Sequence, residues 1–149
     1  MKTFIVLLTA VAISSLASAA GKGLQVKDLP AGVQKTVQDQ TKGAEIKNIA
    51  KEVEKGVTQY EVETLVNGKH RDFNVDAKGG LVVVEEEVAI DSIPAAAKTA
   101  IEKKLAGGKL GMVETVTKGD VVLYEAAFTS KAGKKGSVLV KADGTETKD

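Results

Sequence analysis

Asp28-Leu29-Pro30-Ala31 is the stretch that decides the fold, because the chain says it again as Ser92-Ile93-Pro94-Ala95. The two prolines stand 64 residues apart. Val37 and Ile101, Ile46 and Leu110, Ile49 and Val113, and Tyr60-Glu61 and Tyr124-Glu125 keep that interval. A fixed interval sustained over that length marks one supersecondary unit used twice.

In the first unit, Asp28 is placed to cap a helix and Pro30 suits its first turn, where a missing N–H costs nothing. Val33 and Val37 form one apolar stripe at i and i+4, and Gly43 suits the C′ position. Ala44 to Val53 reads either way, since Ile46, Ile49 and Val53 are spaced like a helical face. The second copy, Lys109 to Val116, decides for a strand through its internal glycine and β-branched residues, with a bulge allowed in the first copy. Tyr60, Val62 and Thr64 then alternate with Glu61 and Glu63, and Arg71, Phe73 and Val75 alternate with Asp72, Asn74 and Asp76. Asn67-Gly68 between these runs accepts the positive φ angles of a two-residue hairpin turn. Ala77 to Gly80 turns again, and Leu81 to Val84 opens a fourth strand.

Glu85 to Ile90 carry the chain across to the repeat. There Ser92 caps, Pro94 starts a helix, and Ala97, Ala100, Ile101 and Leu105 form its buried stripe until Gly107-Gly108 stops it. Strands are expected at Leu110 to Thr117, Val121 to Thr129 and Ser137 to Lys141. Val75 matches Val140 at an interval of 65, which puts one inserted residue in the loop Ser130 to Gly136. The last strand is expected to be short. The fold class is therefore α+β: two tandem units, each one helix packed on an antiparallel meander, over residues 28–90 and 91–149.

Ahead of the repeat, Lys2, the apolar run Phe4 to Ile13 and the small residues Ser14 to Ala19 read as a signal peptide, residues 1–19, cut after Ala19. Residues 20–27 read as a flexible leader. The apolar run is too short to span a bilayer comfortably, so no stable membrane anchor is expected after cleavage. That places the mature chain in the periplasm or outside the cell. Its lack of cysteine leaves no disulfide framework and no thiol nucleophile. The 21 basic residues face 20 acidic ones, and loss of Lys2 makes them equal. Nucleic acid, which favours a basic excess, is therefore not an expected partner.

The residues also carry a resemblance. Leu29-Pro30-Ala31, a short helix, Gly43, Ile46 to Ile49, Tyr60-Glu61-Val62 and Val75-Asp76-Ala77-Lys78-Gly79 together resemble the PepSY-like repeat. The second copy departs at Ile93, at Ala126 and in the turn Val140 to Gly144. Tandem domains of this sort are similar to the β-lactamase inhibitory protein (BLIP) fold, in which helices pack behind a curved antiparallel sheet. The resemblance implies small exported modules that bind proteins, some restraining peptidases. It transfers no active-site residue. The known inhibitors of β-lactamase use disulfides and aromatic-rich contact faces, which this chain lacks, so β-lactamase is not implied as the target.

No catalytic constellation, cofactor motif or metal site is expected. His70 is the single histidine and, between Lys69 and Arg71, reads as a solvent-facing strand residue. Glu85, Glu86 and Glu87 are successive strand residues that point to alternate faces and would not converge on calcium. Tyr60 and Tyr124 read first as sheet anchors against the helices and second as contact residues on the open face. Glu61, Glu63, Lys69 and Arg71 are assigned to the opposite, solvated face, an available partner surface. Lys131, Lys134 and Lys135 make a basic loop that can meet an acidic patch. The expected function is a non-enzymatic exported module that binds a protein or peptide, with restraint of an exported peptidase or other hydrolase as its narrower form. The alternative is a self-associating structural or envelope stress-response protein that uses an unpaired sheet edge.

Overall fold

The computed structural model describes residues 23–54 and 56–147. The signal segment, with its cut after Ala19, lies outside them. The elements run α1 (Ala31–Gln40), β1 (Glu45–Glu54), β2 (Val57–Val66), β3 (Lys69–Asp76), β4 (Leu81–Glu87), α2 (Ala95–Leu105), β5 (Lys109–Lys118), β6 (Val121–Thr129), β7 (Lys135–Val140) and β8 (Glu146–Thr147). The strands form one eight-stranded sheet in simple sequence order, and every neighbouring pair is antiparallel. The architecture is α+β, as expected. The ambiguous segment is a strand, and its irregularity falls between Ile46 and Asn48, with a matching one between Leu110 and Val113. Asn67 and Gly68 turn the β2–β3 hairpin with φ of 53° and 81°.

Both helices lie on one face of the sheet, each over its own apolar cluster. Leu29, Val33, Val37, Ile49 and Val62 of the first recur as Ile93, Ala97, Ile101, Val113 and Ala126 of the second, always 64 positions on. Phe73 and Val75 recur as Val138 and Val140 at 65. Tyr60 belongs to the first cluster at 7% exposure and Tyr124 packs against the second, so both tyrosines anchor the helix-bearing face. A third cluster of Val83, Val116, Leu123 and Leu139 is separate from both helices.

Four local expectations are corrected. Asp28 and Ser92 do not cap the helices, because a 3-10 turn precedes each proline and takes them out of reach. Pro30 and Pro94 are themselves the N-caps, and their carbonyls accept the first helical bonds from Gln34 and Lys98 at 2.9 and 3.0 Å. Residues 23–27 of the supposed flexible leader are docked: the Leu24 N–H donates to the Ile49 carbonyl at 3.0 Å, and Leu24 and Val26 pack on the first cluster. Their apolar side chains outweigh the small polar residues around them. Glu85 to Glu87 are not a crossing segment but the end of β4, because they pair with β5 from Val116 to Glu114.

Arg71 is the fourth. The register sums Tyr60↔Val75 and Val62↔Phe73 invert parity across the hairpin, so odd positions of β3 share the face of even positions of β2. Arg71, and Lys69 with it, therefore lies on the helix side, away from Glu61 and Glu63. Its guanidinium stands 5.7 Å from the Phe73 ring centroid and donates to the Gln40 side chain at 2.8 Å and Glu86 at 3.1 Å. Thr64, fully buried beside it, donates its hydroxyl to the Arg71 carbonyl.

Candidate functional site

Alternation along the strands puts the remaining residues on the face that no described helix covers. On β2 these are Glu61 and Glu63, on β3 His70 and Asp72, on β4 Glu85 and Glu87, and on β5 and β6 Glu114 and Glu125. The register brings them together. Asp72 lies opposite Glu85, Glu87 opposite Glu114, and Glu114 opposite Glu125. Beside this acidic run, Glu85 lies opposite Val116, Val116 opposite Leu123, and Glu125 opposite Leu139, so the carboxylates adjoin the third apolar cluster.

The carboxylates are crowded. Glu114 is 4% exposed and Glu125 7%, although neither faces a helix. Every fully buried side-chain nitrogen or oxygen among the described residues has a hydrogen-bond partner. Glu114 makes no hydrogen bond or ion pair among those residues, so its oxygens must sit at the surface with the rest of the side chain packed beneath. Like charges directly opposite on neighbouring strands repel, by about 3 kcal/mol at roughly 5 Å and an effective dielectric near 20. A carboxyl so placed holds its proton more tightly. Burial first, then the charges of Glu125 and Asp72, push Glu114 up to about 7, with His70 opposing. Burial and then Glu114 and Glu125 push Glu85 up to about 7. Burial, followed by Glu52 and Glu63, does the same for Glu61, which also shares a hydrogen bond with Glu52. Asp72 is raised by burial against the opposing hydrogen bond from the Thr64 N–H at 2.8 Å.

A pH dependence of stability follows. Folded-state values near 7 against an ordinary 4.5 mean that the native state binds more protons than the unfolded chain across that interval. The repulsion is fully present above pH 7 and relieved as pH falls toward 4.5. Asp39, lowered to about 2 by hydrogen bonds from Lys35 and Lys42, acts in the opposite direction, and its contribution is lost only in stronger acid. Asp76, Asp91 and Asp143 are lowered as well. The thermal midpoint is therefore expected to rise by roughly 5–10 °C from pH 8 to pH 5, for about 2 kcal/mol after solvent screening, and to fall again below pH 4. Differential scanning fluorimetry across that range checks it.

Of the residues singled out from sequence, Glu61 and Glu63 lie on this face. Tyr60, Tyr124 and Arg71 lie on the other. Lys131 and Lys134 are exposed in the β6–β7 connection and Lys135 is exposed at the start of β7, and the end of the Lys131 side chain lies over Gly107 at the close of α2. Asp72, Glu85, Glu114, Glu125 and the third apolar cluster were not legible as a site. One signal did point to Glu125: it follows Tyr124 as Glu61 follows Tyr60, in the same place of the repeat. Among the described residues no group of acidic or histidine side chains is arranged to hold a metal ion, and Glu86 indeed points away from Glu85 and Glu87, toward Arg71.

No protein-family profile and no curated protein matches the chain. Solved structures do. A Bacteroides eggerthii protein provisionally described as periplasmic aligns with a TM-score of 0.65 at 17% identity, covering 80% of this chain and 86% of the other. A DUF2874 family protein from Bacteroides uniformis gives 0.64 at 19%, covering 80% and 86%. A BLIP-like protein from Bacteroides fragilis gives 0.58 at 17%, covering 80% and 84%. At such identities the likeness is one of fold, and the fold is BLIP-like: two helices on one face of an eight-stranded antiparallel sheet. No described helix is long and apolar enough to cross a membrane.

Proposed function

We propose that this chain is an exported, non-enzymatic binding module that captures a protein or peptide on the helix-free face of its sheet. The observation that carries the reading is the pairing on that face of nearly buried carboxylates, Glu114 and Glu125, with an apolar cluster that no described helix covers. Antiparallel sheets commonly leave one face to water, and such a face is ordinarily polar and well solvated. Here it holds Val83 and Leu123 at 4% exposure. A rigid sheet also offers a surface organised before binding, which lowers the entropic cost of association.

The fold likeness to periplasmic and BLIP-like structures supports export and a binding role together. Export proceeds through a signal peptide cut after Ala19. The scaffold consists of two tandem units, residues 28–90 and 91–149, which the recurring core positions support. Glu61 and Glu63 contribute to the contact surface, and the target class is an exported peptidase or other hydrolase. Capture from an envelope extract tests this: immobilised mature chain retains a saturable partner, and Val121→Asp, at an exposed position of the same face, abolishes retention while the fold persists by circular dichroism. Absence of any saturable partner, or retention indifferent to Val121→Asp, overturns it.

A second reading rests on the sheet edge. β8 pairs with β7 only through Leu139↔Thr147 and Val140↔Glu146, so the outer edge of Lys135 to Val138 has no ladder partner among the described residues. Self-association through that edge would make a structural or envelope stress-response protein. Light scattering that stays monomeric at high concentration removes it.

A further inference from the structure

We infer that the helix-free face takes an extended segment of a partner protein carrying lysine or arginine side chains, with an apolar side chain beside them. The cations would sit over Glu85, Glu114 and Glu125, and the apolar group over Val116, Leu123 and Leu139. This rests on the reading of that face as the binding surface and adds the chemistry of what it binds.

Charge complementarity is the first ground. Basic and acidic residues nearly cancel over the whole chain, yet the register gathers Asp72, Glu85, Glu87, Glu114 and Glu125 on one face, with the lysines of that face, Lys109, Lys118 and Lys135, at the ends of their strands. The acidic face is thus a local feature and not a reflection of an acidic chain. The second ground is Glu114. It is 4% exposed, its side chain has no hydrogen bond or ion pair among the described residues, and the register puts that side chain on this face. A structural carboxylate so buried is normally paired. Its neighbours are acids from every adjoining strand: Glu85 and Glu87 from β4, Glu125 from β6, and Asp72 from β3. The cations sharing the face are His70, whose Nδ1 lies 3.9 Å from Asp72, Lys118, which already has a partner, and Lys109 and Lys135, which flank Thr129 at the far end of β6. A cation brought from outside would complete the pairing.

Geometry fixes the kind of cation. Among the described residues the acids are not arranged to hold a metal ion, so the ligand must offer separate charges. Glu85 and Glu87 stand two residues apart on one strand, the interval between same-side groups of an extended segment, roughly 7 Å. The adjoining apolar cluster selects a segment with mixed side chains over a purely polar cation. Binding would also draw off the protons that crowding retains on this face, so affinity should fall as pH drops from 8 to 6 and protons should be released at pH 7.

The probe is a capped, fluorescein-labelled heptapeptide Lys-Ser-Lys-Ser-Leu-Ser-Leu, whose lysines and leucines share one side of the extended chain, compared with the same peptide carrying glutamate for lysine. The expected result is saturable binding of the lysine peptide, at least tenfold tighter than the glutamate peptide. It should weaken at least tenfold in the double variant Glu114→Gln/Glu125→Gln and from pH 8 to 6, and be unchanged in Lys103→Ala on α2. Calorimetry at pH 7 in phosphate and Tris should differ by the heat of released protons. Equal affinity for the two peptides, no saturation, or indifference to the double variant overturns the inference. If the peptides fail while Val121→Asp still abolishes capture of an envelope partner, the face remains the binding surface and only its preference for cations falls.

Discussion

Gly79→Ala is expected to cost about 3 kcal/mol of stability, the largest loss anticipated for the removal of a single hydrogen in favour of a methyl. Gly79 lies in the β3–β4 turn at φ 94°, where an L side chain is strained. A Cβ there would also stand 2.5 Å from the Gly32 carbonyl oxygen and 2.6 Å from its carbon. Those are backbone atoms of α1, so the helix must move away from the sheet to admit it. Movement would in turn stretch the 2.6 Å bond from the Thr36 hydroxyl to the Gly79 carbonyl. Gly68 provides the control, since its φ is 81° but nothing lies within 4 Å of a Cβ. Gly68→Ala should therefore lose only the conformational part, about 1 kcal/mol. Equal losses in urea unfolding would show that the helix-to-turn approach is not tight.

The opposite sign is expected on the helix-free face. Replacing Glu61, Glu85 and Glu114 together by glutamine should stabilise the protein at pH 8 by about 2 kcal/mol. Glutamine keeps the shape and removes the repulsion, and its amide can donate to the carboxylates that remain, Glu125 and Asp72. The same variant should flatten the rise in thermal midpoint from pH 8 to pH 5, because the three groups that take up protons near 7 are gone. A variant less stable than the parent at pH 8, with its pH profile intact, would place the origin of that profile elsewhere. Stability gained by removing conspicuous residues is the usual sign that they are held for a purpose other than folding.

Much of the scaffold was legible because its signals are local. The proline-led helices, the Asn67-Gly68 turn and the alternation of β2 and β3 each arise within a few residues, and the interval of 64 transferred the strand assignment from Lys109–Val116 to Ala44–Val53. The helix caps were misread for an equally local reason. An acidic residue before Leu-Pro looks like an N-cap, but the 3-10 turn that moves Asp28 away is set by its own backbone, where the Gln25 N–H donates to the Asp28 carboxylate at 3.0 Å.

The site was less legible because it exists only in the register. Glu87, Glu114 and Glu125 are far apart in the chain and meet through three neighbouring strands. Read singly, each is an ordinary solvated strand residue. Arg71 shows the same limit: alternation correctly grouped it with Phe73, and only the pairing of β2 with β3 put that group on the helix side. The third apolar cluster, drawn from four strands, has no contiguous signature at all.

The most direct test is a titration of the glutamate side-chain carboxyls by carbon-detected NMR on the mature chain. Midpoints near 7 are expected for Glu61, Glu85 and Glu114. Ordinary midpoints near 4.5 for all three would contradict a crowded acidic face and remove the ground for reading it as a binding surface.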